Sequence, residues 1–130
     1  MNNTCYVSYR FDLNYAKDVI DIFIFRNCYF PLDPNLPYHV ACKLDSSTIK
    51  EYNKKLLDYS DELWVVGEID DHVLEDIKLA KCTNTEIKFI NVKENDYHII
   101  EKMYFVNKNE VKFSDWLLKR YEIEDLMAMI

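Results

Sequence analysis

The chain has 130 residues, 49% of them hydrophobic and 15% aromatic, which is one domain by size and too apolar for a disordered chain. Its net charge of −7, from 23 acidic against 16 basic residues, comes with no basic cluster beyond Lys54-Lys55 and Lys119-Arg120, which argues against nucleic acid or a membrane surface as partner. No apolar run approaches the roughly 18–20 residues that cross a bilayer, and Met1-Asn2-Asn3-Thr4 lacks the features of a secretory signal, so a cytoplasmic protein is expected.

Thr4-Cys5-Tyr6-Val7-Ser8-Tyr9 is rich in β-branched and aromatic residues and predicts a first strand. Asp12 stands at an N-cap position, and Tyr15, Val19, Ile22, Phe23 and Arg26 follow at helical spacing, which predicts a helix over 13–27. Cys28 to Leu32 reads as a short second strand, at an edge or ending at Pro31, because proline cannot donate to a central ladder. Pro34 and Pro37 mark Asp33 to Leu44 as an irregular loop with room for a short helical piece. Ser46 or Ser47 is placed to cap a helix running to about Tyr59, with Ile49, Tyr52, Leu56 and Tyr59 on one face. Leu63-Trp64-Val65-Val66 is nearly continuous apolar sequence, the mark of a central parallel strand covered on both faces.

Asp70 or Asp71 caps the next helix, which carries Val73, Ile77 and Ala80 at i, i+4, i+7. Thr85 to Val92 alternates as a strand, Asp96 opens a helix to about Met103, and Val106 to Phe113 predicts a short strand or loop. Ser114 then caps a last helix through Trp116, Leu117, Tyr121, Leu126 and Met127. No linker or internal repeat interrupts this alternation, so residues 1–130 form one domain. The pattern predicts a flavodoxin-like three-layer αβα fold with a four- or five-stranded parallel sheet in the order 2-1-3-4(-5). The topological switch point then lies between the first and third strands. It gathers Ser8, Tyr9, Arg10 and Phe11, the pair Gly67-Glu68, and the helix starting near Asp71 around one crevice.

Several chemistries are excluded by composition. A single glycine rules out a G-x-G-x-x-G turn or a P-loop, so any phosphate must be held by side chains or a helix terminus. Cys5, Cys28, Cys42 and Cys82 form no Cys-x-x-Cys pair and read as reduced, buried thiols. The three histidines lie far apart in sequence, and neither metal nor cofactor is expected. What remains is a strand-end guanidinium and a crowd of acids. Arg10 can fork onto a phosphate or carboxylate, or pair with a neighbouring acid. Tyr9 and Phe11 can stack a base or cover the sheet. Glu68, Asp70, Asp71, Glu75 and Asp76 share one strand–helix junction. N-capping, worth about 0.5–2 kcal/mol, and the helix dipole account for Asp70 and Asp71. Asp76 sits deeper, beside Val73 and Ile77, where a carboxylate aimed into the crevice can act as nucleophile or stabilise an oxocarbenium-like centre. His72 and His39 are within reach of the same crevice.

Three blocks resemble the nucleoside 2-deoxyribosyltransferase-like family, in particular its small, phage-type members. They are Tyr6-Val7-Ser8-Tyr9-Arg10, the Pro31-Leu32-Asp33-Pro34-Asn35-Leu36-Pro37-Tyr38 stretch, and Tyr59-Ser60-Asp61-Glu62-Leu63-Trp64-Val65-Val66-Gly67 followed by Glu75-Asp76-Ile77-Lys78-Leu79-Ala80. The match spans residues 4–92 and leaves 93–130 as a helical extension. It implies a nucleoside- or nucleotide-type ligand at the carboxyl edge of the sheet, and cleavage or transfer at the N-glycosidic bond by a helix carboxylate. That carboxylate falls on Asp76, one methylene shorter than the family's glutamate, with Glu75 beside it on another helical face. The family's glycine ahead of the helix turn is His72 here, and its first-strand Gly-Pro is Tyr9-Arg10. In the resulting picture Ser8, Tyr9, Arg10, Phe11, Asp33, Asn35, Gly67, Glu68, Asp71 and His72 line the ligand, Arg10 holds an anionic group and Asp76 faces the ribose. A non-catalytic protein that sequesters or senses a nucleotide-derived signal fits the same residues. The apolar end Leu126-Met127-Ala128-Met129-Ile130 suggests a homodimer or higher homo-oligomer.

Overall fold

The computed structural model describes residues 3–32, 34, 40 and 42–130, apart from the side chains of Phe11 and Asn14. Asp33, Asn35, Pro37 and His39 of the predicted loop lie outside the described residues, as does the side chain of Phe11. In chain order the elements are β1 (Asn3–Tyr9), a 3-10 segment (Phe11–Ala16), α1 (Lys17–Arg26), β2 (Tyr29–Leu32), α2 (Ser46–Asp58), β3 (Glu62–Val66), α3 (Asp71–Cys82), β4 (Glu86–Glu94), β5 (Ile100–Val106), a 3-10 turn (Lys108–Glu110), α4 (Asp115–Arg120) and α5 (Ile123–Met129).

The five strands lie in the order β2-β1-β3-β4-β5, flanked by helices in the flavodoxin-like three-layer arrangement. β1 to β4 pair in parallel, as expected, whereas β5 runs antiparallel to β4. Every residue of β3 is buried, which is what a continuous apolar run between two helical layers requires. Alternation splits the core in two. Tyr6, Leu63 and Val65 face Leu57 of α2, Ile77 and Ala80 of α3, and Leu117 and Leu126 of the last helices. Cys5, Val7, Tyr9, Trp64 and Val66 face Ile20 and Ile24 of α1.

The sole glycine closes β3. Gly67 has φ +78, its N–H reaches the Ile90 carbonyl at 2.8 Å, and a Cβ there would lie 2.9 Å from Leu13 Cδ1. Left-handed backbone and a tight neighbour together explain why glycine survives here.

Local chemistry changed five expectations. The predicted helix over 13–27 begins as 3-10, because the Asp12 carboxylate pairs with Arg10 at 3.1 Å and α1 has no side-chain cap. Asp45, not Ser46 or Ser47, caps α2, its carboxylate accepting the Thr48 N–H at 2.7 Å. Asp96 starts no helix: Asn95 Oδ1 accepts from the N–H groups of Tyr97 (2.9 Å) and Ile99 (3.0 Å), His98 takes φ 59, and the chain reverses into β5. The last helix is broken by extended backbone at Tyr121 and Glu122. Only Cys5 is buried; Cys28, Cys42 and Cys82 are exposed, with Cys28 just outside β2. In the apolar carboxyl end, Leu126 and Ile130 pack into the α3 side of the core, while Ala128 is exposed.

Candidate functional site

α3 is anchored by Asp70, whose carboxylate accepts the Val73 N–H at 2.8 Å, and it turns a stripe of Val73, Asp76, Ile77 and Ala80 inward. Asp76 is therefore 6% exposed. Across from it, Tyr6 and Ser8 stand two residues apart on β1 and share one face of the sheet. The Ser8 hydroxyl donates to Asp76 Oδ2 at 2.6 Å and the Tyr6 hydroxyl to Oδ1 at 3.2 Å. Burial pushes the Asp76 carboxyl above its ordinary range; the Ser8 hydroxyl, the charge of His72 and the Tyr6 hydroxyl pull the other way, and Asp70 adds to the rise.

Above this carboxylate a cleft of about 530 Å³ opens between α2 and α3. Small-molecule sites fall in the same range, about 300–1,000 Å³. α2 lines it with Ser47, Lys50, Asn53 and Lys54, and α3 with His72, Glu75, Asp76, Leu79 and Cys82. Asn53 Oδ1 is buried there without a hydrogen-bond partner. Leaving such an oxygen unmet costs about 1–3 kcal/mol.

A second, smaller pocket of about 250 Å³ lies at the carboxyl ends of β1 and β3, on the α1 side, among Arg10, Asp12, Leu13, Gly67, Glu68, Val92 and Tyr104. The turns after Tyr9 and Val66 do meet here. However, Arg10 Nη1 binds Glu68 Oε1 at 2.6 Å and Nη2 binds Asp12 Oδ2 at 3.1 Å. The guanidinium expected to hold an anion already has two carboxylates.

The other buried acid shows the contrast. Glu62 is 5% exposed, yet it accepts from Tyr29, Trp64 and Lys88, each at 2.9 Å. Burial alone would raise its pKa, but these three donors outweigh it and hold the carboxyl below the ordinary range. Glu62 is satisfied by three donors inside the fold; Asp76 has two hydroxyl donors and lines an open cleft.

The expected single crevice is thus divided. Ser8, His72, Glu75 and Asp76 gather on the α2/α3 side, whereas Arg10, Gly67 and Glu68 belong to the α1-side pocket. Tyr9 is 4% exposed within the α1-side core, and Asp71 is exposed in the first turn of α3. Glu75 is exposed and pairs with Lys78 at 3.6 Å. Sequence reasoning missed Tyr6, Asn53, Lys50, Lys54 and Cys82. The alternation Tyr6-x-Ser8 could have found the first; the i, i+4 pair Lys50/Lys54 offered a faint signal for the rest.

The architecture and sites together define a flavodoxin-like α/β protein with a buried carboxylate beneath an interhelical cleft. No family model matches the sequence, and neither does any curated protein.

Proposed function

We propose that the chain binds a nucleoside- or nucleotide-type small ligand in the α2/α3 cleft, with Asp76 facing the sugar. The observation that carries this reading is a nearly buried carboxylate, fixed by two hydroxyl donors, under a cleft of ligand size. A carboxylate so held accepts sugar hydroxyls, and in its ionised form it can stabilise or attack an oxocarbenium-like anomeric carbon. The strand–helix blocks that resemble the deoxyribosyltransferase-like family support the same ligand class and the same bond.

A second reading, binding without turnover, is favoured by the state of Asp76 itself. Both of its oxygens are engaged, and burial favours the protonated form, a poor nucleophile. On that reading the protein sequesters or senses a nucleotide-derived molecule.

The test is thermal denaturation with a panel of nucleosides, deoxynucleosides and mononucleotides, followed by mass spectrometry of each mixture. A ligand that raises the melting temperature is expected, the rise growing as RT ln(1 + [L]/Kd). Free nucleobase that disappears in Asp76→Asn assigns glycosidic chemistry, while ligand recovered intact assigns sequestration. A panel with no stabilisation and no released base would overturn both.

A further inference from the structure

The α2/α3 cleft carries more information than its buried acid. Asp76 lines it with a nearly buried carboxylate. Its mouth holds charge. Lys50 and Lys54 are one turn apart on α2 and exposed, and neither has a carboxylate partner among the described residues. Of the other charged groups at the mouth, Lys78 is taken by Glu75 at 3.6 Å, and Glu51 is exposed one residue along from Lys50. In a protein of net charge −7, two ammonium groups without a carboxylate partner beside a cleft of ligand size form a site for an anion.

We infer that the ligand is a phosphorylated nucleoside, with its phosphate against Lys50 and Lys54 and its sugar toward Asp76. This rests on the ligand class proposed above and adds which member of it the site selects. A neutral nucleoside leaves both ammonium groups in water. A phosphate gains charge-assisted hydrogen bonds from them. The other candidate anchor in the fold, Arg10, is occupied by Glu68 and Asp12, and it opens into the other pocket.

Calorimetric titration of the full chain at low ionic strength tests the inference, using the deoxynucleosides, their 5′-monophosphates and inorganic phosphate. At least one monophosphate should bind about tenfold or more tightly than its own nucleoside, the gain of a charge-assisted contact. That preference should shrink with added salt. It should collapse toward unity in the double variant Lys50→Gln/Lys54→Gln, whose exposed positions leave the core untouched, while nucleoside binding persists. Equal affinity for both forms, a preference that survives the double variant, or inorganic phosphate binding as tightly as any nucleotide would overturn the inference while leaving nucleoside binding in place. Binding by no nucleoside or nucleotide would remove the ligand class together with it.

Discussion

At the scale of single residues, the two buried acids place opposite demands on stability. Asp76 has a folded-state pKa raised above its unfolded value, chiefly by burial. The folded protein therefore holds its proton more tightly than the unfolded chain does. Ionising Asp76 costs stability at pH values above its folded pKa, and that cost vanishes below the unfolded value, about 3.9. Asparagine keeps the shape, and the Ser8 and Tyr6 hydroxyls can each donate or accept to satisfy its amide. Asp76→Asn is expected to stabilise the fold at neutral pH by about 0.5–2 kcal/mol, the size common for single stabilising substitutions. Urea midpoints across a pH series check this: the advantage over the parent chain should close as pH falls toward the ordinary aspartate range. A variant less stable than the parent at neutral pH would make Asp76 a structural residue. Glu62 runs the other way. Its depressed pKa contributes stability above the unfolded carboxylate range and loses it as pH falls through the folded value.

At the scale of elements, the helix ends show how a chain with one glycine makes its turns. α3 closes in a Schellman arrangement, with Asn84 at φ 56, its N–H on the Lys81 carbonyl at 3.3 Å and the Thr85 N–H on the Ala80 carbonyl at 2.9 Å. Asparagine tolerates that backbone. α1 ends instead with Cys28 at φ 64, its N–H on the Phe25 carbonyl at 3.0 Å. A left-handed residue with a Cβ costs about 1–2 kcal/mol, and glycine returns part of that as unfolded-state entropy. Cys28→Gly is expected to stabilise by about 0.5–1 kcal/mol, seen as a melting temperature a few degrees higher; no rise would mean that the cysteine side chain compensates through its own contacts. The same features explain what was legible in the sequence. β3 and α3 were legible because a continuous apolar run and an Asp N-cap are local signals. β5 was not, since Asp96 imitates a cap and only the reach of Asn95 to two backbone N–H groups reveals a reversal. Asp76 was found as an acid beside an apolar stripe. Asn53 was not, because its meaning depends on α2 lying against α3, a long-range packing that no local spacing encodes. Arg10 was found, but its neutralisation by Glu68, 58 positions away, was not.

At the scale of the whole molecule, the sheet is a partition. The pocket around Arg10 opens toward α1 and the cleft around Asp76 lies between α2 and α3, and the residues lining one do not line the other. The molecule also carries its own reporters on both sides: Cys82 lines the cleft, whereas Cys28 ends α1 on the opposite face, and both thiols are exposed. Alkylation followed by peptide mass spectrometry therefore reads occupancy of one side against the other, because attack needs access to the sulfur. A nucleotide seated in the cleft should slow modification of Cys82 several-fold and leave Cys28 at its free rate. Equal protection of both would point to a global tightening of the fold, since stabilisation by ligand suppresses opening everywhere; protection of neither would place the ligand elsewhere. Arg10→Gln adds the complementary control. Its two ion pairs are partly exposed and each worth no more than about 1 kcal/mol. The variant should fold, and its nucleotide affinity should stay within about twofold of the parent, the scatter expected for a distant and independent position. A large loss of affinity in Arg10→Gln would mean that the ligand crosses the rim of the sheet and joins the two pockets into one site.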